Sequence, residues 1–212
     1  QRTEEALVCY DKALALKPDF AQAWAHRGNA FQAQNQSDLA CEAYDRALAL
    51  DQNAAETQWN KSLALLRMGH FEQGWKAYEW RKMIDKAGWA HRHFAQAAWD
   101  GQQDLSGRTI LLHFEQGFGD TLQFCRYVPL VARLGAKVIL EVQTPLVELL
   151  GRLEGAHRVI GSGQSLPDFD LHCALLSLPL AMGTTLATIP AQIPYLSADP
   201  ERVAAWRVRL GQ

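Results

Sequence analysis

Shifting the chain against itself by 34 residues lays Ala6, Tyr10, Asp11, Ala13, Leu14 and Leu16 onto Ala40, Tyr44, Asp45, Ala47, Leu48 and Leu50. A second shift carries Ala40 and Tyr44 onto Gly74 and Tyr78, and Asn35 onto Gly69. A fixed period makes each unit one supersecondary element that buries its apolar face on its neighbours. Within a unit, small residues alternate with large ones at helical spacing, so two antiparallel helices can approach closely and interlock alanine against aromatic. The period therefore predicts helical hairpins, with Asn35 and Gly69 in the turns between paired helices.

Trp24, Gly28 and Phe31, then Ala40, Tyr44 and Ala47, fall where a tetratricopeptide repeat places its characteristic residues, and Pro18 closes the preceding unit. Residues 1–86 thus resemble a short tetratricopeptide array. The first unit keeps only its second helix, near residues 3–16. The second is complete from 20 to 50, and the third, 54–84, departs from the pattern at Lys61 and Ser62. A half unit at the start implies further repeats upstream. The resemblance implies a concave surface for a protein or peptide partner; a rigid spacer or an oligomerisation surface fits the same pattern.

Composition excludes several classes. With 48% apolar and 21% charged residues the chain can build conventional cores. A net charge of −2 with interspersed signs gives no footprint for nucleic acid or an anionic membrane. No apolar run reaches the roughly 18 residues of a membrane span, and the first residues do not show a charged segment followed by an apolar one, so an untargeted chain is expected. Cys9, Cys41, Cys125 and Cys173 lie far apart in apolar or helical settings, which reads as reduced packing thiols and a cytoplasmic location. The chain opens on Gln1 and closes on Leu210-Gly211-Gln212, so a fragment of a longer protein is expected.

Between residues 87 and 107 the helical period is lost, and Gly88, Gly101 and Gly107 stand among Trp89, Phe94 and Trp99. Large aromatics argue for an ordered connector, expected to pack between the two domains. His91 and His93 lack accompanying ligands at metal-site spacing and read as solvated.

From residue 108 to 197 the pattern changes to alternating strands and helices. Ile110, Leu111 and Leu112 mark a buried strand within 108–114, and a helix is expected over 120–134, divided by Pro129 and ended by Gly135. Strands follow at 137–142, 157–160 and 169–173, with a short helix from Pro145. The 28-residue step from Ile110 to Val138 suits one βαβ unit, so the sheet is expected to be parallel and the domain Rossmann-like. Asp199-Pro200-Glu201 starts one more helix within 198–212.

In such sheets ligands bind at the C-terminal strand ends, which puts Glu115-Gln116-Gly117-Phe118-Gly119-Asp120 at the mouth of any site. A dinucleotide reading, with Gly117 and Gly119 as a fingerprint and Glu141 as the ribose acid, fails. Leu122 replaces the third glycine, and Asp120 puts a carboxylate where a pyrophosphate must sit. In a structural reading, Asp120 is an N-cap with Gln123 completing a box. In the third reading, Gly119, Asp120, Thr121 and Leu122 resemble the Gly-Asp-x-Leu motif of the heptosyltransferase-like glycosyltransferases of the GT-B fold.

That resemblance implies an α + α/β chain: bacterial tetratricopeptide repeats followed by the N-terminal half of a GT-B enzyme. It implies Asp120 as the base that deprotonates the acceptor hydroxyl. Gln116, Gly117, Gly119, Thr121 and His172 are the candidate substrate-binding residues. It implies no cofactor and no metal, only a nucleotide-sugar donor held on a C-terminal domain not present here, so the fragment alone is expected to be inactive. A non-catalytic interaction scaffold is the alternative.

Overall fold

The computed structural model describes residues 2–84 and 92–211. They form two compact units, one of residues 1–87 together with Thr184–Ala187, the other of residues 88–183 and 188–212.

The first unit holds α1 (Arg2–Leu16), α2 (Ala21–Ala33), α3 (Ser37–Leu50), α4 (Ala55–Arg67) and α5 (Phe71–Tyr78), followed by a 3-10 turn over Glu79–Met83. Helices α2 and α3 pack as one hairpin and α4 and α5 as the next. The turns fall on the two residues the period equates: Asn35 has φ 61° and Gly69 φ 82°. Both take the left-handed backbone that ends a helix, which glycine adopts freely and asparagine tolerates best among the others.

Ala40, Ala43, Tyr44, Phe31 and Ala64 make the core, with Leu7, Trp24 and Cys41 against it. The fully buried Tyr44 hydroxyl lies 2.8 Å from both Asn29 Oδ1 and Gln32 Oε1. One hydroxyl proton serves only one of them at a time. Asn29 Oδ1 also accepts from Asn60 Nδ2 at 3.0 Å, so the two amide oxygens share the Tyr44 proton while Asn29 keeps a second donor. The polar chain joins α2, α3 and α4. Arg81, 1% exposed, pairs with Glu79 at 2.6 Å and lies over the Tyr78 ring.

The second unit runs β1 (Ala97–Ala98), β2 (Thr109–His113), α6 (Phe118–Phe124), α7 (Val128–Arg133), β3 (Lys137–Val142), α8 (Val147–Leu150), β4 (Ala156–Gly161), β5 (Leu171–Ala174), α9 (Leu178–Ala181) and α10 (Pro200–Arg209). The strands form one sheet in the order β1-β5-β2-β3-β4, every pairing parallel. The apolar runs place β2 to β5 within a few residues of their expected positions. Strand β1 carries no such signal: two alanines at the sheet edge pair with Leu171 and His172, and only the tertiary fold makes them a strand.

Pro129 acts as expected. Helix α6 stops at Phe124, a 3-10 turn covers Cys125–Tyr127, and Pro129 occupies the first turn of α7, where a missing N–H costs nothing. Asp199 caps α10 by accepting from the N–H groups of Glu201 and Arg202 at 2.8 and 3.2 Å.

One sheet face is covered by Leu111, Ile139 and Ile160 with Phe94, Leu166 and Phe169. Trp99 is buried and donates through Nε1 to Gln103 O at 3.1 Å. Phe94 and Trp99 therefore pack into the core of the second unit itself; Trp89 lies outside the described residues. His93 is exposed, and His91 is outside the described residues. Among the described residues no helix is long and apolar enough to cross a membrane.

Candidate functional site

From β2 the chain steps to β3 and then β4 in one direction, then returns to place β5 on the other side of β2. The strand order reverses between β2 and β5, and in open parallel sheets the crevice at such a reversal is where ligands bind. The turn leaving β2 lies at that point.

After His113, Phe114 and the buried Glu115 lead into Gln116 and Gly117. Gly117, in extended backbone, is the N-cap of α6, and Thr121 N–H donates to its carbonyl at 3.2 Å. Asp120 is the third residue of the helix, and its Oδ2 accepts from Gly117 N–H at 3.0 Å. This corrects the expectation of Asp120 as N-cap with Gln123 as its partner: the helix starts earlier, and Asp120 is the acid that reaches back. Gly117 has no side chain to return the bond, so only half of a capping box forms. Asp120 is half-buried between exposed Gly119 and buried Thr121, and among the described residues its Oδ1 has no hydrogen-bond partner.

A side chain from the neighbouring strand braces this turn. Gln143 follows β3 directly; its Oε1 accepts from Thr121 Oγ1 at 2.8 Å and its Nε2 donates to Gln116 O at 2.8 Å. Thr121 is 2% exposed, so its hydroxyl serves the turn, and the surface there is made by Gly117, Phe118 and Gly119. Among the described residues the Gln116 side-chain nitrogen is buried without a partner. No motif in the sequence singles out Gln143, although the residue ending the strand next to β2 is the natural place to look.

His172 belongs to an adjacent cluster on the sheet. Its ring lies 4.6 Å from Phe94 and 5.6 Å from His113, and Phe94 meets Phe169 edge-on at 5.5 Å. Arg92, stacked over Phe94, pairs with Glu141, which is 1% exposed. The acid that a dinucleotide site needs for its ribose is thus closed off by a guanidinium. The structure brings Gln116, Gly117, Gly119, Asp120 and Thr121 into one turn and sets His172 within β5, opposite Leu111, among the sheet's aromatics and away from the strand end expected for it.

Chemically, a carboxylate with one oxygen fixed by a backbone N–H and the other unpartnered can orient a hydroxyl and accept its proton. Among the described residues no group of three His, Cys, Asp or Glu side chains is placed to hold a metal ion.

Residues 1–35 match the family profile described as TPR repeat, and residues 21–53 the one described as tetratricopeptide repeat. The first unit carries tetratricopeptide repeats. Over 97% of its length the chain is 28% identical to Protein FlbA of Caulobacter vibrioides, of which it spans 38%. The mouse and human proteins named Protein O-mannosyl-transferase TMTC3 are each 37% identical over 67 residues, 32% of this chain and 7% of theirs. A point mutant of the Thermobaculum terrenum O-GlcNAc transferase superposes with a TM-score of 0.37 at 14% identity, over 75% of this chain and 38% of that one.

Proposed function

We propose that the second unit is the acceptor-side half of a glycosyltransferase and that the repeats recruit a protein or peptide acceptor to it. In this reading the acceptor hydroxyl meets Asp120 Oδ1 at the β2–β5 crevice. As that oxygen attacks the anomeric carbon of a nucleotide-sugar, its proton passes to the carboxylate and the nucleotide leaves with the bonding pair. A further part of the protein, outside these residues, holds the donor.

The observation that carries the proposal is the Asp120 carboxylate, anchored through Oδ2 to Gly117 N–H and unpartnered at Oδ1, at the point where the strand order reverses. The Gly119-Asp120-Thr121-Leu122 resemblance and the transferase name borne by two of the relatives support it. For the recruiting role, a groove of about 580 Å³ in the first unit is lined by Gln22, His26, Asn29, Thr57, Asn60 and Met83. Titrating the ¹⁵N-labelled chain with a panel of serine- and threonine-bearing peptides tests the acceptor side: saturable shifts at Gly117, Gly119 and Asp120 are expected, and an unmoved turn across the panel contradicts the reading.

One observation favours a second reading, an interaction scaffold with a catalytically silent α/β unit: the family profiles fall on residues 1–53, within the repeats. Peptide binding that shifts the groove residues and leaves the turn at Gly117–Asp120 unmoved selects it.

A further inference from the structure

The peptide linking Gln116 to Gly117 is held from both sides. Its carbonyl oxygen accepts from Gln143 Nε2 at 2.8 Å, and its N–H donates to Asp120 Oδ2 at 3.0 Å. In a planar trans peptide these groups point in opposite directions, so whatever fixes the C=O also aims the N–H. A bond to the carbonyl further polarises the N–H and strengthens what it donates. The other end of the turn is held by the same side chain, through Thr121 Oγ1 to Gln143 Oε1 at 2.8 Å. Between these ends lie Gly117, Phe118, Gly119 and Asp120, a solvent-facing stretch with two glycines that is free to take other backbone states once its ends are released.

We propose that Gln143 is a positioning residue that aims the Asp120 carboxylate by orienting the Gln116–Gly117 peptide. It makes no contact with reacting atoms in this account, and it rests on the reading of Asp120 as the base. Glutamine suits the place because a side-chain amide accepts and donates at once; a glutamate there can only accept, and a leucine does neither. The reach follows from the sheet. Strands β2 and β3 are neighbours in register, His113 opposite Glu141, so the second residue beyond Glu141 leaves its strand beside the turn that leaves β2.

The Gly117 amide resonance of the ¹⁵N-labelled 212-residue chain reads this arrangement directly, because its proton points at the carboxylate. Asp120→Asn should move that resonance by removing the charge. In a Gln143→Leu background the same substitution should move it less than half as far, since the peptide plane no longer holds the N–H on the side chain. Gln143→Glu keeps the Thr121 arm and loses the Gln116 arm, and should behave like the leucine variant; it carries the test if Gln143→Leu fails to fold. Thr121→Val removes the other arm alone and should keep most of the Asp120→Asn response. Undiminished coupling in folded Gln143→Glu overturns the proposal. The readout uses no sugar transfer. Coupling lost as expected while Asp120→Asn leaves transfer intact would uphold the positioning role and refute the base.

Discussion

A Cβ built on Gly28 stands 2.5 Å from Cε1 of Tyr44, closer than such atoms ever approach. The ring of α3 packs flat onto the bare backbone of α2, and its hydroxyl then reaches Asn29 and Gln32 on that same helix. The alternation of small and large residues in the repeat thus has a steric cause at one named pair.

Gly28→Ala must push Tyr44 out of its seat or part the two helices. Overpacking of this kind costs about 1–3 kcal/mol, and disturbing the Tyr44 hydroxyl bonds adds to it. Helix propensity works the other way by up to ~1 kcal/mol, so a net loss shows that the clash outweighs it. The urea midpoint of the far-UV circular dichroism transition should fall; an unchanged or raised midpoint contradicts the packing described.

Arg92→Ala leaves the Glu141 carboxylate, 1% exposed, without its guanidinium. Stranding a buried charge typically costs roughly 3–5 kcal/mol, and the partial exposure of Arg92 puts the expected loss at the lower end. Because Arg92 also stacks on Phe94, the double variant Arg92→Ala/Glu141→Gln should recover part of the loss and not all of it. Recovery to the parent's stability would show that the aromatic contact contributes nothing.

Burial pushes the Cys125 thiol from 9.0 up to about 12, against a smaller opposing pull from Arg126. The folded chain keeps this proton where the unfolded chain gives it up. Its contribution is therefore fully present below pH 9.0 and lost as the pH rises toward about 12. Cys41 and Tyr44 are raised by burial in the same sense, so the parent should lose stability steadily above about pH 9. Cys125→Ala should start less stable at about pH 8 and fall less steeply, narrowing the gap by about pH 10.5. Parallel declines in the two proteins would show that Cys125 takes no part in the alkaline loss.

The repeats were legible because their signals are local. A period of 34, one small residue under each large one, and Asn35 and Gly69 at matched turns all stand in the sequence, and the structure gives both turns positive φ. The parallel sheet was legible from short runs such as Ile110–Leu112 and Val138–Val142, bounded by Gly107 and Gly117 in the first case and preceded by Gly135 in the second, as suits strands buried on both faces. What escaped was set by contacts distant in sequence. Strand β1 exists because β5 lies beside Ala97 and Ala98, and Gln143 braces a turn 22 residues before it. The start of α6 is hidden for a local reason: a glycine N-cap carries no side-chain signal, so the acid at the third helical position looks like the cap.

In the proposed function Asp120 presents a carboxylate oxygen for proton transfer where the strand order reverses. That role is tested most directly by Asp120→Asn in the full-length natural protein, with nucleotide release from a panel of nucleotide-sugars measured alongside the thermal transition. The amide oxygen can still accept from Gly117 N–H, so the melting temperature should stay within a few degrees while release falls by about 10²-fold or more. Release at the parent's rate from a folded Asp120→Asn protein would contradict the account.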